Sequence, residues 1–254
     1  MARCDHLVLS PHPDDAALSL GGHLAARAAA GERVLVVTVC TAAPPAGRVP
    51  CAFARDVLAR LGLTPAAYAE ARAREDREAA RILGAQTIHA GLLDAPDRLP
   101  DRYGTVAALT GAPAAGDPII PQLDDLLATL RAQHPGATLH APLGAGGHVD
   151  HVLVHEAARR AFPGFRALRF YEDFPYAAGD TAAVPRRLRD AGTPVPVVVD
   201  VTPFLDRRIE AIGAYATQVP ILFGSARAME SLVRAFAADA SPNGGYAERL
   251  FAPA

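Results

Sequence analysis

Histidine and aspartate are concentrated near the start of this 254-residue sequence, where His12, Asp14 and Asp15 stand in the run PHPDD. Two adjacent carboxylates beside an imidazole repel one another unless a cation lies among them. This donor set without cysteine suits Zn²⁺, with Fe²⁺ or another divalent ion as an alternative. A purely structural interpretation also stands, in which Asp14 or Asp15 caps a helix that begins at Ala16. Both interpretations remain open on these residues alone.

A second group, His148, Asp150 and His151, follows a glycine-rich stretch much later in the chain. One imidazole can complete a three-ligand metal site, and the other can stabilise developing charge. Asp150 can cap the following helix while it holds the tautomer of a histidine. The structural alternative is that these histidines are solvated loop residues.

The other histidines carry weaker signals. His155 is four residues beyond His151 and can share a helix face with it, but no glutamate follows His151, so the zincin pattern is absent. We therefore expect His155 at the surface or in support of the site. Five histidines stand singly in predicted elements, and we expect ordinary structural or surface roles for them: His6, His23, His89, His134 and His140.

The elements that must position these residues alternate between strands and helices. The predicted strands are His6–Ser10, Arg33–Cys40, Thr87–Ala90, Ala137–Ala141, Arg166–Tyr171 and Val195–Val201. The predicted helices are Ala16–Ala30, Pro65–Leu83, Ile119–Gln133, Asp150–Arg160 and Thr202 to about Ala216. This alternation predicts an α/β fold with right-handed crossovers and a mostly parallel sheet, in a single domain over 1–254. Because ligands bind beyond the carboxyl ends of such strands, both His/Asp groups are expected at one edge.

Composition excludes several kinds of chemistry. All 25 Lys+Arg residues are arginine, so no Schiff-base lysine and no lysine-bearing phosphate loop exists. A net charge of −2 argues against a general nucleic-acid binder. Cys4, Cys40 and Cys51 show no disulfide framework and no thiolate zinc pattern.

The sequence also bears on where the protein is located in the cell. The N-terminal residues lack the basic-then-apolar pattern of a signal peptide, and no run of ~18 uncharged apolar residues occurs. We therefore expect a soluble, cytoplasmic protein without membrane insertion. A homo-oligomer is compatible with the sequence, which does not specify an oligomeric state.

Taken together, the motifs resemble those of the zinc-dependent N-deacetylases of the PIG-L/LmbE family. They are Pro11–Asp15, the R-x-x-E-x-x-x-A-x-x-x-L-G spacing of Arg72–Gly84, Pro142–His151, Phe170–Ala177 and Tyr246–Arg249. The last three are more similar to one bacterial branch than to the members of the mycothiol pathway. The resemblance spans nearly the whole chain.

The resemblance implies an LmbE-like fold, a Rossmann-like three-layer sandwich, and a role for each matching residue. It implies His12, Asp15 and His151 as zinc ligands. It implies Asp14 as the general base, His148 as the electrophilic or acid partner and Asp150 as the group that orients His148. By the same resemblance Arg72 helps to hold substrate, and Asp94 lies roughly where relatives place a sugar-contacting acid.

The implied activity is removal of an acetyl or other acyl group from a small amino-sugar conjugate, with N-acetylglucosamine as the expected sugar. Ala16 replaces a glutamate that many members carry, at a position that is not a metal ligand. We expect the segments 41–50 and 91–116 to be irregular and to wall the pocket. We expect Phe174, Pro175, Tyr176 and Tyr215 to be pocket wall or core.

Other functions stay open. A metal-dependent amidase, esterase or phosphoesterase acting on another metabolite would use similar residues. A doubly wound nucleotide-binding module is a further alternative, although its glycine fingerprint is missing after the first strand. A relative that binds sugars or nucleotides without catalysis is the third.

Overall fold

A seven-stranded sheet is the middle layer of the protein in the computed structural model, which describes residues 3–162, 167–190 and 195–252. The strands are β1 His6–Ser10, β2 Val34–Cys40, β3 Gln86–Leu92, β4 Thr138–Pro142, β5 Leu168–Tyr171, β6 Val195–Asp200 and β7 Ala247–Ala252. Their order across the sheet is β3-β2-β1-β4-β5-β7-β6. The first five are parallel, and β7 is antiparallel to both of its neighbours. The predicted mostly parallel sheet is confirmed.

Helices cover both faces of this sheet. The longer ones are α1 Asp15–Ala29, α2 Ala52–Leu61, α3 Pro65–Leu83, α7 Ile119–Gln133, α8 Val149–Ala161, α10 Ala183–Asp190, α11 Leu205–Gly213 and α13 Ala226–Asp239. The short ones are α4 Ala95–Arg98, α5 Pro100–Tyr103, α6 Val106–Leu109, α9 Tyr176–Gly179 and α12 Val219–Phe223, with a 3-10 turn at Thr202–Phe204.

Local signals explain the elements that agree with the sequence prediction. In α3 the Thr64 side chain accepts a hydrogen bond from the Ala67 N–H, Pro65 occupies the first turn, and Gly84 ends the helix at φ +75°. The predicted bounds of β1, α3 and α7 are confirmed. All seven residues of β2 are buried, as a strand covered on both faces requires.

Other parts of the chain differ from the prediction. The segment 91–116 contains α4, α5 and α6 rather than irregular loop, and the helix expected from Thr202 is a 3-10 turn followed by α11. The helices α2, α12 and α13 and the strand β7 were not predicted. In α2 no residue is buried, so the helix lacks the core-facing stripe on which prediction relies. The part of the predicted strand Arg166–Tyr171 that falls on Arg166 lies outside the described residues.

Two apolar cores separate the sheet from its helical layers. Alternate β1 residues face opposite ways: Leu7 and Leu9 pack toward α7 and α8, whereas Val8 packs toward α1, α3, α11 and α13. Each fully buried leucine contributes roughly 1.5–3 kcal/mol of apolar transfer free energy. The result is the three-layer arrangement expected from the sequence.

Close packing of α1 fixes its position over the sheet. A Cβ at Gly22 would lie 2.7 Å from Val201 Cβ and 2.9 Å from Glu248 Oε1. Glu248 accepts hydrogen bonds of 2.8 Å from the N–H groups of Gly22 and His23, and its Oε1 lies 3.3 Å from the buried Arg208 Nη1. The glutamate of the Tyr246–Arg249 motif therefore holds α1 in place.

The strand order creates a crevice between β1 and β4. From β1 the chain proceeds outward through β2 to β3, and it then returns to β4 on the other side of β1. Loops that leave two such neighbouring strands diverge, which opens a binding crevice at their carboxyl ends. Within the described ranges, no helix has the length and apolar character to cross a bilayer.

Candidate active site

The loop after β1 brings the side chains of His12, Asp14 and Asp15 to the crevice, and Ser10, the last residue of β1, holds the loop in place. Ser10 Oγ donates a 2.7 Å hydrogen bond to the carbonyl of His12 and accepts one of 3.1 Å from the Ala16 N–H. Asp14 has a φ of +122°, an uncommon backbone conformation that costs about 1–3 kcal/mol. Asp14 occupies the N-cap of α1, but its side chain makes no capping bond. Its carboxylate is therefore available for chemistry.

Asp14 is held by Arg72, which α3 contributes. Arg72 Nη1 lies 3.3 Å from Asp14 Oδ2, and Arg72 Nη2 donates to the carbonyl of Pro13. Burial raises the pKa of Asp14 to about 7; Arg72 opposes this shift, and the neighbouring charge of Asp15 adds to it. Asp14 can thus exchange a proton near neutral pH. Arg72 lines the cavity as expected for a substrate contact, but its bonds within the protein are to Asp14 and Pro13.

His151 has its tautomer fixed by Asp173. His151 Nδ1 donates a 2.7 Å hydrogen bond to Asp173 Oδ1, while Asp173 Oδ2 accepts from the N–H groups of Gly144 and Ala145 at 2.8 and 2.9 Å. The other nitrogen, His151 Nε2, lies 3.3 Å from Asp15 Oδ2 and is the ring atom left to bind an ion. This role of Asp173 was not inferred from the sequence, although it lies within the Phe170–Ala177 motif.

Asp150 contacts a different histidine from the one expected. Its carboxylate accepts from His12 Nε2 at 3.1 Å, from Arg98 at 2.7 Å and from the Ala95 N–H at 3.1 Å. His148 Nδ1 instead accepts a 3.3 Å hydrogen bond from the backbone N–H of Asp150. The carboxylate of Asp150 therefore orients His12, and only its backbone positions His148.

A buried ion-pair network supports Asp150 from behind. Arg98 donates to Asp117 Oδ1 at 2.6 Å and to Oδ2 at 3.0 Å, and the Tyr103 hydroxyl donates to Asp117 at 2.9 Å. Arg98 belongs to the segment 91–116, which was expected to be irregular, and Asp117 directly follows it. No local pattern assigned either residue a role. Their function depends on contact with α8, far away in sequence.

The donors around Asp15 fit a divalent metal ion. Asp15 Oδ2 lies 3.2 Å from His12 Nδ1 and 3.3 Å from His151 Nε2, and the second nitrogen of each ring is bonded to a carboxylate. His151 Nε2 is buried and makes no hydrogen bond of good geometry in the described structure. Imidazoles backed by carboxylates are the arrangement that metal-binding histidines adopt. Ring nitrogens of His12, His148 and His151 lie within 4.8 Å of one another.

Electrostatics lead to the same conclusion. Burial alone would lower the pKa of His12, but the carboxylates of Asp94, Asp15 and Asp150 outweigh it and hold the pKa well above its usual range. Burial likewise opposes the rise for His151, whose pKa reaches about 9 chiefly because of Asp15. Carboxylates that stabilise an added proton on these imidazoles would equally stabilise a bound cation in its place.

His148 has different surroundings. Burial lowers its pKa to about 4, and the nearby His12 lowers it further while Asp150 opposes the shift. The imidazole is therefore neutral at pH 7. Because Nδ1 accepts from a backbone N–H, the proton of the neutral ring resides on Nε2. His148 lines the cavity and can donate a hydrogen bond there.

Cys40 also lies near the site. Its sulfur is within 4.8 Å of donor atoms of His12 and Asp150, a proximity that the sequence did not suggest. Burial raises the pKa of Cys40 well above its usual range, so it stays a thiol rather than a metal-binding thiolate at neutral pH.

The cavity combines this polar floor with an apolar wall. Parts of 41–50 and 91–116 line it as predicted, including Thr41, Pro44 and Asp94. Asp94 Oδ1 lies 3.5 Å from His12 Nε2, and its side chain is 42% exposed. The apolar wall comes mainly from α2 and α12, through Phe53, Val57, Leu58, Ile221 and Leu222.

The four aromatic and proline candidates divide between wall and core. Pro175 and Tyr176 line the cavity, whereas Phe174 and Tyr215 are buried in the core. Gly146 packs on Tyr176: it has a φ of +83°, and a Cβ there would lie 2.5 Å from Tyr176 Cβ. The glycine-rich loop therefore allows close approach of Tyr176 to the histidines.

The other histidines are buried or bonded within the protein. His155, expected at the surface or in support of the site, is fully buried, with Nδ1 2.9 Å from the Pro142 carbonyl and its ring 4.2 Å from Phe170. Two of the histidines that stand singly have the structural role expected of them. His89 bonds Asp76, and His134 bonds Cys4. The remaining three lie together and form a separate cluster: His6, His23 and His140.

The remaining sequence-inferred positions have structural contacts. Ala16, where many family members carry glutamate, belongs to α1 and is buried in the core that α1 shares with α3. The exposed charged residues of α3 are Glu70, Arg74, Arg77, Glu78 and Arg81. Arg72 is buried on the other side of the helix, as is Asp76, which bonds Thr38, His89 and Tyr215.

Comparison with known proteins gives consistent results. The PIG-L family, described as GlcNAc-PI de-N-acetylase, matches residues 7–162. The 2'-N-acetylparomamine deacetylase of Streptomyces fradiae is 35% identical over 218 residues, which are 84% of this chain and 72% of that protein.

Solved structures agree. The A40926 pseudoaglycone deacetylase is 29% identical with a TM-score of 0.78, over 99% of this chain and 97% of that one. A zinc-inhibited form of teicoplanin deacetylase is 27% identical with a TM-score of 0.80, over 96% of both chains.

Proposed function

Because the chain belongs to the PIG-L family, we propose that it is a metal-dependent deacetylase that hydrolyses the acetamide of an N-acetylated amino-sugar conjugate. One observation carries the proposal. The buried carboxylate of Asp14 lines the same cavity as His12 and Asp15, and Asp15 also lies close to His151. The polar floor of the cavity can hydrogen-bond to a sugar. The acetamide is inferred from the relatives, which are deacetylases.

We propose His12, Asp15 and His151 as the residues that hold the ion. Asp150 and Asp173 direct one ring nitrogen of each histidine toward Asp15. A bound Zn²⁺ would polarise the amide carbonyl and lower the pKa of an attacking water. Fe²⁺ and other divalent ions suit the same donors, and zinc inhibits one relative, so the identity of the metal is a measurement to make.

Asp14 acts as the general base. It accepts a proton from the attacking water as oxygen bonds to the amide carbon, and it returns a proton to the nitrogen as the C–N bond breaks. Acetate and a free amine are the products. The Arg72 guanidinium keeps Asp14 in position and limits the rise of its pKa, so that the carboxylate remains largely ionised at slightly alkaline pH.

His148 stabilises the carbonyl oxygen. Its neutral ring offers the Nε2 hydrogen to the oxygen on which negative charge develops, and the backbone of Asp150 fixes this tautomer. No prior protonation of His148 is needed for this hydrogen bond. Asp94, whose side chain is 42% exposed and lines the cavity, is proposed to contact sugar hydroxyls.

The apolar wall indicates what the sugar is attached to. The helix α2 has no buried residue, yet its Phe53, Val57 and Leu58 face the cavity, where Ile221 and Leu222 join them. Apolar side chains left open to a cavity gain free energy when an apolar ligand covers them. We propose that the amino sugar carries a hydrophobic aglycone or acyl group.

The test is release of free amine and acetate from matched N-acetylglucosaminides. Metal-loaded protein would be compared with chelated protein on free N-acetylglucosamine and on methyl, octyl and aryl glycosides. The expected result is metal-dependent amine release, with kcat/KM rising with the apolar area of the aglycone, mainly through KM. Absence of amine release from every substrate with every divalent ion would refute deacetylation. Equal kcat/KM across the glycosides would refute only the apolar subsite.

A further inference from the structure

A second group of histidines lies at the opposite end of β1 from the candidate active site. His6 is the first residue of β1, His140 lies on the neighbouring β4, and His23 lies on α1. In the register of β1 and β4, Val8 pairs with His140, so His6 and His140 share the sheet face that α1 covers. One ring nitrogen from each lies within 4.8 Å of the other two.

Three of the six ring nitrogens in this trio lack a hydrogen-bond partner among the described residues. Both ring nitrogens of His23 and Nδ1 of His140 are buried and have no hydrogen-bond partner in the described structure. His23 is 6% exposed and His140 2% exposed. A neutral imidazole needs one donor and one acceptor partner, and leaving such groups unpaired in the interior destabilises the folded state.

Glu32 fixes the tautomer of His6, the third histidine of the trio. Glu32 Oε2 lies 2.8 Å from His6 Nε2, and because a carboxylate only accepts, His6 donates from Nε2. His6 Nδ1 then presents a lone pair toward His140 Nε2, 3.0 Å away. A carboxylate bonded to one ring nitrogen while the other faces a cluster is the arrangement of a metal-binding histidine.

We propose that His6, His23 and His140 form a second metal site, specific for a transition-metal ion and independent of the deacetylase centre. Nitrogens bound to one zinc ion at about 2.0–2.1 Å lie roughly 3.4 Å apart, close to the present His6–His140 separation. Binding displaces the hydrogen shared by that pair, and His140 then carries its proton on Nδ1. The His23 ring turns toward the pair to complete the set.

The surroundings restrict which ion can bind. The nearby positive charges are Arg27, whose Nη1 lies 3.6 Å from Glu32 Oε2, and Arg169, whose charge acts on His140. These cations oppose the binding of any divalent ion, so an ion must be held by its bonds to the ring nitrogens. Mg²⁺ and Ca²⁺ prefer oxygen ligands and do not form such bonds well. Three imidazoles favour Zn²⁺, Ni²⁺ or Cu²⁺, for which nitrogen affinity is high. His6, with 13% of its side chain exposed, provides the path from solvent.

The test counts bound zinc. Metal-stripped protein would be titrated with Zn²⁺ against a chromophoric chelator, and bound zinc would be measured after gel filtration. Wild-type protein should bind two ions per chain, His6→Gln one, and His12→Gln/His151→Gln one. His89→Gln is the matched control, because His89 bonds Asp76 outside both clusters, and it should bind two.

Thermal unfolding supplies a readout that does not depend on deacetylation. The trio ion should still raise Tm in His12→Gln/His151→Gln, and this rise should disappear when His6→Gln is added. If His6→Gln misfolds by circular dichroism, His23→Gln replaces it. One ion per wild-type chain, or a zinc count unaffected by His6→Gln and His23→Gln, would overturn the second site and leave the proposed deacetylase untouched.

Discussion

The protein has two histidine trios, one near each end of β1, and they differ in the carboxylates around them. The first trio is His12, His148 and His151, and the second is His6, His23 and His140. At the carboxyl end, Asp15, Asp94 and Asp150 surround the imidazoles, and the pKa of His12 is held well above its usual range. At the other end, burial lowers the pKa of His23 to about 3 and that of His140 well below its usual range.

The difference shows how neighbouring charge decides what buried histidines do. Imidazoles among carboxylates form a pocket that stabilises a positive charge, and Asp14 and a cavity lie beside it. In the second trio, burial disfavours the charged forms of His23 and His140, and Glu32 is bonded to His6. These imidazoles are suited to ligating an ion. The first trio is therefore suited to catalysis, and the second only to holding an ion that stabilises the fold.

The largest expected effect comes from removing the carboxylate of Asp15, which lies between His12 and His151 of the first trio. Asp15→Ala should lose the active-site ion and lower deacetylation by roughly 10³-fold or more, because several kcal/mol of transition-state stabilisation depend on that ion. Elemental analysis and amine release would measure both effects. The second trio should keep its ion, and a variant without any bound zinc would contradict the independence of the sites.

Asp14→Asn should separate catalysis from metal binding. The loss of a positioned base lowers kcat by about 10²–10⁴-fold, while the metal content remains that of wild type. Asp97→Asn is the matched control on the cavity wall, and it should change kcat by no more than about twofold. Unchanged kcat in Asp14→Asn would exclude its role as base.

Asp173→Asn tests how far the first trio depends on its supporting carboxylates. The substitution weakens the hold on the His151 tautomer, and it should reduce metal affinity about 10–100-fold. Activity should recover in excess metal. The adjacent Glu172→Gln, whose side chain bonds Arg249 instead, serves as control. Equal metal affinity in both variants would show that Asp173 has only a structural role.

The smallest effect on activity is expected at the second trio. Glu32→Gln should weaken the second zinc ion by about 10–100-fold, since His6 loses its orienting carboxylate, and kcat should remain unchanged. Competition titration and initial rates would measure the two quantities. A fall in kcat would show that the two trios are coupled rather than independent.

Much of the candidate site was predictable because the residues lie at strand ends. Parallel strands bring their carboxyl ends to one edge, so His12 and His151 meet although their loops are far apart in the chain. The orienting carboxylates were harder to assign. Asp150 bonds His12 rather than His148, because the α8 N-terminus directs its carboxylate toward β1 and its N–H toward His148.

The sequence by itself determined the α/β class, the bounds of strands such as His6–Ser10, and the residue types of the catalytic floor. These follow from hydrophobic periodicity, helix caps and donor chemistry, all of which are local. Only the tertiary structure decided that Asp173 supports His151, that α2 turns an apolar face to the cavity, and that His6, His23 and His140 meet. Those contacts join residues on different strands and helices, and their geometry depends on how the layers pack.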